Sequence, residues 1–327
     1  MKKQKNAMRP AYFCLILILS LGILISGLRI LESTVFYKEQ EQAERHVSKS
    51  ITVEGVDYFP RQDITVMLVM GIDQEGPVKS SESYTNPGAA DVVMLVIFDE
   101  KEENIRILAL NRDTMLEMPV LGIGGRHAGT AYGQLALAHT YGNGLENSCE
   151  NTRDAVSALL GGIRIDYYVS MNMDAIALLN DAVGGVPVNV VDDFSVVDAT
   201  IPMGRTVLRG EQARNYLRIR QEVGNQLNLS RMERQKNYLK EFAEAFRASL
   251  EQEETFVADT YSEVASYVVT DCSVKVLTSM MDRYESYPLE EIVSPEGENI
   301  LGEEYYEFYV EEAAMKELAL RLFYARK

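Results

Sequence analysis

The sequence predicts an α/β protein with a mixed central β-sheet covered by helices on both faces. Apolar runs of strand length alternate with amphipathic segments of helical period, and two adjacent runs are joined by only a short polar turn. The chain has 327 residues, 46% hydrophobic and 25% charged, a composition typical of a folded protein rather than a disordered one.

The amino-terminal segment predicts a membrane anchor. Residues 11–28 carry no charge and lie near the lower limit of about 17 residues for a membrane-spanning helix. Basic residues before this run keep the amino terminus in the cytoplasm by the positive-inside rule: Lys2, Lys3, Lys5 and Arg9. The predicted parts are a cytoplasmic tail (1–10), a single-pass anchor in the cell membrane (11–31), a stalk (32–61) and an extracytoplasmic domain (62–327). A cleaved signal peptide is the alternative.

Three apolar runs predict the first strands of the outer domain: Ile64–Met70, Asp91–Phe98 and Ile105–Leu110. The first run is followed closely by Asp73, which places an acid at the carboxyl end of a buried strand. The second and third runs are separated by a short polar turn and therefore predict an antiparallel pair. The third run leads almost directly into Arg112 and Asp113.

The rest of the outer domain alternates between helical and strand periods. Helices are predicted over residues 131–142, 150–160, 174–183, 210–216 and 311–324, and strands over 165–171 and 186–191. Gly184 and Gly185 supply a left-handed C-cap for the 174–183 helix. Ser230 and Glu233 have capping-box spacing, which predicts the start of a further helix at that point.

The charge balance restricts the possible partners. The chain carries 32 Lys+Arg against 49 Asp+Glu, a net charge of −17. Because such a surface repels polyphosphate at long range, we predict no nucleic-acid partner. Any phosphate site must therefore be a local cluster of cations.

Cysteine and histidine usage restricts the covalent and metal chemistry. Three cysteines exclude a disulfide framework, and Cys14 lies in the apolar amino-terminal run. Cys149 and Cys272 are predicted to be small inert side chains, with one optional disulfide between them as the alternative. The three histidines lack the spacing of zinc ligands, so no zinc site is predicted.

Two acids adjoin predicted strands and form one half of a candidate site. Asp73 follows the first strand and Asp91 opens the second, at positions where loops gather in an open α/β sheet. Neighbouring carboxylates suit Mg²⁺, which prefers oxygen ligands and usually retains waters and substrate phosphates. The alternative is that each acid only caps the end of a strand.

Arginines form the other half of the candidate site. Arg112 stands after a strand and next to Asp113; the alternative to a functional role is an ion pair that fixes this loop. Arg218 and Arg220 are two residues apart and, if the segment is extended, point the same way.

A predicted helix start adds an anion-binding position. Arg231 lies in the first turn of this helix, where free N–H groups and the helix dipole favour an anion, and Gln235 shares its face. Several guanidinium groups and two acids on a chain of net charge −17 together predict a pyrophosphate site with a divalent cation.

Nine short motifs follow one another along the outer domain. They are Val-Met-Leu-Val-Met-Gly-Ile-Asp73, Ala-Asp91-Val-Val-Met-Leu, Leu-Asn-Arg112-Asp113-Thr, Ala-His-Thr-Tyr-Gly142, Ile-Asp-Tyr-Tyr-Val169, Asn-Asp-Ala-Val-Gly-Gly-Val186, Gly-Glu-Gln-Ala213, Tyr-Leu-Arg218-Ile-Arg220 and Arg231-Met-Glu-Arg-Gln235. In this order they resemble the LytR-CpsA-Psr family of cell-wall glycopolymer transferases, over about residues 64–240. The chain departs from the family's common residues at Ala89, Val92, Gln134, Ala136, Asn228 and Ser230.

The resemblance implies a membrane-anchored extracytoplasmic enzyme of Gram-positive bacteria. Such enzymes move a glycopolymer (wall teichoic acid, capsule or another wall polysaccharide) from a polyprenyl-pyrophosphate carrier to peptidoglycan, as a phosphodiester to a muramic acid hydroxyl. It also implies an apolar cleft between sheet and helices for the prenyl chain. The alternative is a non-catalytic membrane-anchored binder of lipid-linked wall precursors that regulates envelope assembly.

The resemblance further implies roles for the candidate residues. Asp73 and Asp91 match the acids that hold Mg²⁺ (or Mn²⁺) and activate the acceptor, and Arg112 acts with them in catalysis. The implied pyrophosphate-binding residues are Arg112, Arg218, Arg220, Arg231 and Gln235. Asp113 is predicted to hold Arg112 in position without contacting the substrate itself.

Overall fold

The structure is a computed structural model that describes residues 50–326 except 84, 221, 225–227, 253–255, 274–275, 277–278, 281–282 and 285. The predicted tail, the predicted anchor and the stalk up to residue 49 lie outside the described residues. Within the described part of the chain, no helix combines the length and the apolar character that crossing a membrane requires.

A six-stranded mixed sheet forms the centre of the molecule. Its strands, in spatial order, are β11 (Val268–Thr270), β8 (Tyr167–Asn172), β3 (Ile64–Ile72), β4 (Ala90–Asp99), β5 (Asn104–Leu110) and β12 (Leu289–Val293). Strands β3, β4 and β5 pair antiparallel, which confirms the predicted β4–β5 pair, whereas β8 runs parallel to β3 and β12 parallel to β5. The predicted mixed sheet is therefore confirmed.

Helices cover both faces of this sheet. One layer contains α2 (Met173–Ala182), α3 (Glu211–Arg218), α4 (Asn228–Gln252) and α5 (Phe256–Val264); the other contains α1 (Glu146–Leu159) and α6 (Glu312–Phe323). Because alternate side chains of a strand point to opposite faces, Met67 and Val69 enter the first core while Val66 and Leu68 enter the second. Burial on both faces explains why β3 and β4 are almost continuously apolar.

Smaller sheets surround the central one. They are β1 (Ile51–Val53) with β2 (Val56–Pro60) and β15 (Tyr324–Arg326), β6 (Met115–Leu121) with β7 (His127–Gln134), β9 (Val186–Val190) with β10 (Gly204–Leu208), and β13 (Gly297–Leu301) with β14 (Tyr306–Val310). Strand β2 pairs with β15, so both ends of the described chain meet in one sheet. Ordered strands are thus present at residues 51–60, inside the range predicted as a stalk.

The helix predicted over residues 131–142 is wrong. Residues up to Gln134 belong to β7, which pairs antiparallel with β6, and a 3₁₀ helix at Leu135–Thr140 follows. Gly129 and Gly133 disfavour a helix in this segment, and pairing with β6 supplies the partners that its backbone groups need. The hairpin depends on contacts with residues upstream, which the period of the segment does not reveal.

The two predicted helix boundaries have different outcomes. Gly184 and Gly185 adopt φ of 75° and 93° after α2, and their N–H groups donate to Asp181 and Asn180 at 2.9 Å each. This is the predicted glycine C-cap, in its Schellman form. The capping box at Ser230 is wrong, because α4 extends back to Asn228 and places Ser230 inside its first turn.

The two cysteines of the folded domain do not form a disulfide. Both Cys149 and Cys272 are free and buried, and they belong to the cores on opposite faces of the central sheet. Burial raises the pKa of the Cys149 thiol to about 12 and also raises that of Cys272, so neither thiol ionises near neutral pH.

A buried acid beside β8 makes stability depend on pH. The carboxylate of Asp271 accepts the N–H of Tyr168 at 2.8 Å and lies 3.3 Å from Arg153. Burial raises the pKa of Asp271 to about 6, so the folded chain holds this proton in a range where the unfolded chain, with a pKa of about 3.9, has lost it. Protonated Asp271 therefore adds its full contribution to the free energy of unfolding below about pH 4. This contribution is lost as the pH rises through about 6.

We expect the difference in unfolding free energy between the wild type and Asp271→Asn to shrink by about 2–3 kcal/mol as the pH rises from about 4 to 6.5. The asparagine variant cannot titrate at this position, so other buried acids cancel in the comparison. Urea denaturation of both proteins at several pH values measures the difference. A difference that does not change with pH would contradict the assignment.

Candidate active site

The two predicted acids lie at the same end of adjacent central strands. Asp73 follows the last residue of β3, and its N–H donates to the carbonyl of Ala89 at 2.8 Å. Pairing of β3 with β4 shifts register between Gly71 and Ile72, so Asp91 is the extra residue of a β-bulge. Because a bulge redirects side chains, it explains how Asp91, buried to 6% exposure, reaches groups beyond its own strand.

Two arginines hold the carboxylate of Asp91. Arg112 follows β5, the neighbour of β4, and its Nη1 donates to Oδ1 of Asp91. Arg231, in the first turn of α4, donates from Nη1 to Oδ2 of Asp91 at 2.6 Å and from Nη2 to the main-chain oxygen of Asp91 at 3.2 Å. Burial lowers the pKa of Arg231, and the Asp91 carboxylate opposes this shift. Both oxygens of Asp91 are thus paired with guanidinium groups.

Asp113 supports the cluster from the interior. Its carboxylate is 1% exposed and accepts hydrogen bonds from Arg220 Nη1 at 2.9 Å and from Gln134 Nε2 at 3.0 Å. Nε of Arg112 lies 3.4 Å from the same carboxylate. Burial raises the pKa of Asp113, and the charges of Arg112 and Arg220 oppose this shift. Asp113 therefore contacts two arginines of the cluster, Arg112 and Arg220, and its supporting role in the site stays a prediction.

Arg218 connects the cluster to the second acid. It is the last residue of α3, and its Nη2 lies 2.9 Å from Oδ1 of Asp73. Its main-chain oxygen accepts a hydrogen bond from Arg231 at 3.4 Å. Because Arg218 is helical, the extended segment considered for it and Arg220 is not formed, and the two arginines reach different carboxylates.

An apolar cleft opens beside this cluster. Gln235, one turn after Arg231 on α4, donates to the carbonyl of Leu217 at 3.1 Å and lines the cleft together with Asp91. The cleft lies between the central sheet and helices α2, α3 and α4, and its empty volume, including the opening to solvent, is about 770 Å³. Apolar side chains form its walls, among them Met94, Met171, Ile176, Leu179, Leu239 and Phe242.

The acids fit a divalent cation only in part. Among the described residues, no group of three or more His, Cys, Asp or Glu is placed to hold a metal. Asp73 is 35% exposed with one contact to Arg218, whereas both oxygens of Asp91 are engaged by arginines. Two carboxylates are nevertheless the usual protein share of a Mg²⁺ site, in which waters and substrate phosphates complete the coordination.

The sequence reasoning missed two buried amides, Asn111 and Asn228, as members of the site. Asn228 accepts hydrogen bonds from Arg231 and donates to Asn111 at 2.7 Å. Two signals were available: Asn111 directly precedes Arg112, and Asn228 lies three residues before Arg231, on the same side of a helix.

Comparison with known proteins assigns the chain to a family. The family model described as LytR_cpsA_psr family matches residues 27–322. The chain therefore belongs to the LytR-CpsA-Psr family, which confirms the resemblance found in its motifs.

Two relatives and one solved structure illustrate the similarity. The chain is 28% identical over 229 residues to the polyisoprenyl-teichoic acid–peptidoglycan teichoic acid transferase TagU of Enterococcus faecalis, covering 69% of this chain and 67% of the relative. It is 32% identical over 162 residues to TagU of Halalkalibacterium halodurans, covering 49% of this chain and 46% of that relative, about half of its length. The structure of TagT bound to LI-WTA superposes with a TM-score of 0.60 at 22% identity, covering 85% of this chain and 95% of that chain; this likeness supports the fold.

Proposed function

We propose that this chain is an extracytoplasmic, membrane-anchored transferase. It moves a glycopolymer from a polyprenyl-pyrophosphate carrier to peptidoglycan and makes a phosphodiester to a muramic acid hydroxyl. One observation carries the proposal: the cluster of four arginines adjoins an apolar cleft, and Asp91 and Gln235 line that cleft. The names of the TagU relatives, polyisoprenyl-teichoic acid–peptidoglycan teichoic acid transferases, support the same substrate class.

The two parts of the site match the two parts of such a carrier. A pyrophosphate needs several cations close together, because the net charge of −17 gives the rest of the surface no attraction for it. A prenyl chain needs an apolar cleft, and the cleft that Asp91 and Gln235 help to line provides one beside the arginine cluster. The proposed pyrophosphate-binding residues are those of the prediction: Arg112, Arg218, Arg220, Arg231 and Gln235.

Binding of the pyrophosphate changes the partners of Asp91. In the structure, Arg112 and Arg231 hold both of its carboxylate oxygens. A pyrophosphate presents more negative charge to these guanidinium groups than one carboxylate does, so their hydrogen bonds move to the phosphates. Asp91 is then free to accept the proton of the acceptor hydroxyl.

The transfer itself exchanges one phosphorus–oxygen bond for another. The deprotonating acceptor oxygen bonds to the phosphorus that carries the sugar, and the bond from this phosphorus to the bridging oxygen breaks. Prenyl monophosphate leaves with the electron pair, and the acceptor proton ends on Asp91. The arginines stabilise the charge that develops on the leaving phosphate, which is the main contribution a protein makes to phosphoryl transfer.

A divalent cation belongs to this proposal as well. Asp73 and one oxygen of Asp91 would hold Mg²⁺ (or Mn²⁺), which leaves the other oxygen of Asp91 for the acceptor proton; the cation would neutralise phosphate charge and lower the pKa of the acceptor hydroxyl. Arg218 bonds Asp73 and keeps this carboxylate beside the arginine cluster.

Transfer in lipid vesicles tests the function. The full-length chain is incubated with a polymer on a polyprenyl-pyrophosphate carrier and with peptidoglycan, and the polymer bound to peptidoglycan is measured. We expect covalent attachment that falls strongly when the same polymer is supplied on a short alkyl pyrophosphate, because the short chain leaves the cleft unfilled. Absence of attachment with the prenyl carrier would refute the proposed activity; equal rates with both carriers would refute the role of the cleft.

A further inference from the structure

A second cavity lies on the face of the central sheet opposite the cleft. Met315 and Ala319 of α6 line it, and both belong to the second core. Met171 and Leu179, which line the cleft, belong to the first core. The empty volume of the second cavity, including its opening to solvent, is about 1370 Å³, more than that of the cleft. The proposed binding of the lipid carrier leaves this space unused.

The second cavity reaches the turn that carries Arg112. Thr114, two residues after Arg112, lines it. On β7, Gln134 donates to the carboxylate of Asp113 at 3.0 Å, and Tyr132 lines the cavity. These two residues of β7 are two positions apart and therefore lie on the same face of the strand. The turn between β5 and β6 thus separates the arginine cluster from the second cavity.

Two exposed tyrosine rings stand at this cavity. Tyr132 is 61% exposed and Tyr309, on β14, is 38% exposed; both line the cavity. The hydroxyl of Tyr309 donates to Glu307 at 2.7 Å, which orients its ring, and Thr52 and Lys316 add polar groups to the walls. A sugar ring has an apolar face of C–H groups and an edge of hydroxyl groups. It can therefore stack on an aromatic ring while its hydroxyls bind polar side chains, and this combination of groups suits a glycan.

The charges around the cavity favour one of the two glycans of the proposed reaction. Glu312 lines the cavity, Glu307 lies at its rim, and Glu117 is paired with Tyr132 across the β6–β7 hairpin. Of the described residues that line the cavity, only Lys316 is basic. These carboxylates repel a polymer that carries phosphates, whereas the sugar backbone of peptidoglycan is uncharged. The cavity therefore fits the acceptor better than the transferred polymer.

The direction of the proposed transfer places the acceptor on the same side. The prenyl phosphate leaves on the side of the cleft, where its prenyl chain is bound. In phosphoryl transfer the attacking and leaving oxygens lie roughly in line, on opposite sides of the phosphorus. The acceptor hydroxyl must therefore approach from the side away from the cleft, which is the side of the second cavity.

We propose, on the basis of the proposed function, that the second cavity binds the glycan strand of the peptidoglycan acceptor, with sugar rings stacked on Tyr132 and Tyr309. A strand bound there passes the turn that carries Arg112, and this brings one of its hydroxyl groups to Asp91.

Transfer kinetics test this site, with the full-length chain in vesicles and soluble glycan strands of peptidoglycan as the acceptor. Tyr132→Ala should raise the KM for the acceptor about 3–10-fold, the effect of losing one aromatic contact, and the double variant with Tyr309→Ala about 10–100-fold. The effect on kcat should be smaller. Affinity for a polyprenyl pyrophosphate should not change, because neither tyrosine lines the cleft. Tyr132→Phe should keep most of the acceptor affinity, since it keeps the ring.

Tyr305→Ala is the matched control. Tyr305 is 42% exposed in the turn between β13 and β14 and is not among the residues that line the cavity. We expect it to leave the KM for the acceptor unchanged. All of these variants should keep a melting temperature close to that of the wild type, because the side chains removed are exposed.

The outcomes distinguish this inference from the proposed function. A wild-type KM for the acceptor in the double variant, or an equal rise in Tyr305→Ala, overturns the acceptor site and leaves the function standing. A rise confined to the KM for the lipid-linked polymer also overturns it, because the cavity would then bind the donor. If the wild type binds glycan strands through the two tyrosines and transfers nothing, the proposed function is refuted, and with it the role of the cavity as an acceptor site.

Discussion

Replacing Arg112 by alanine is expected to lower the transfer rate by about 10²–10³-fold, the usual effect of removing one preorganised group that stabilises developing charge. Arg112 is in contact with Asp91 and with Asp113. In the proposed mechanism its guanidinium group lies where the leaving phosphate becomes negative. The loss should fall mainly on kcat, because the charge on this phosphate grows in the transition state. Arg112→Lys should recover part of the rate, because lysine keeps the positive charge. It should not recover all of it, because lysine lacks the planar guanidinium group that donates two hydrogen bonds to one phosphate.

Arg106 provides the matched control for this variant. It lies on β5, the strand that Arg112 follows, is 16% exposed against 17% for Arg112, and pairs with Asp99 and Glu290 at the other end of the sheet. Arg106→Ala should lower stability while the folded protein keeps its transfer rate. If Arg112→Ala transfers polymer as fast as Arg106→Ala, the arginine cluster is not the catalytic site.

Replacing Asp91 by asparagine is expected to reduce turnover by about 10²–10⁴-fold, the contribution of a positioned general base. The amide keeps an oxygen for one arginine but cannot accept the acceptor proton. Binding of a prenyl pyrophosphate should persist or become tighter, because Arg112 and Arg231 lose the carboxylate that competes with phosphate for them. Parallel measurement of binding in vesicles and of polymer transfer separates the two effects.

Asp99 is the control for Asp91, since both lie on β4 and each pairs with two arginines. Asp99 is fully buried at the opposite end of the strand, where it pairs with Arg61 and Arg106. Asp99→Asn should destabilise the fold and leave turnover per folded molecule unchanged. Wild-type turnover in Asp91→Asn would instead support the alternative of a binder of lipid-linked precursors that performs no transfer.

The sequence was informative where local pattern determines structure. Strands β3, β4 and β5 were predictable because burial on both faces makes their apolar runs nearly continuous. Asp73, Asp91 and Arg112 were recognisable because each stands at a strand end, where the loops of such a sheet gather. The glycines after α2 were predictable because a left-handed C-cap needs that residue type.

The other features of the fold and of the site depend on contacts between distant parts of the chain, which local sequence patterns do not predict. Asp91 and Arg231 are 140 residues apart, and Asn111 and Asn228 are 117 apart. The bulge that redirects Asp91 arises from the register of β3 against β4, which no single segment encodes. Similarly, the sequence pattern predicts a helix over residues 131–142, whereas residues up to Gln134 belong to β7 because β6 pairs with it. The resemblance to the family assigned these distant residues to one site, which the pattern of any single segment could not do.

Identification of the lipid released during transfer tests the central claim most directly. The full-length wild type is supplied with a prenyl-pyrophosphate-linked polymer that is labelled in the phosphate next to the sugar, and both products are analysed. The account predicts that the released lipid is prenyl monophosphate and that the label remains in the bond between polymer and peptidoglycan. Release of prenyl pyrophosphate carrying the label would contradict it, because the sugar–oxygen bond would then have been broken instead of a bond to phosphorus.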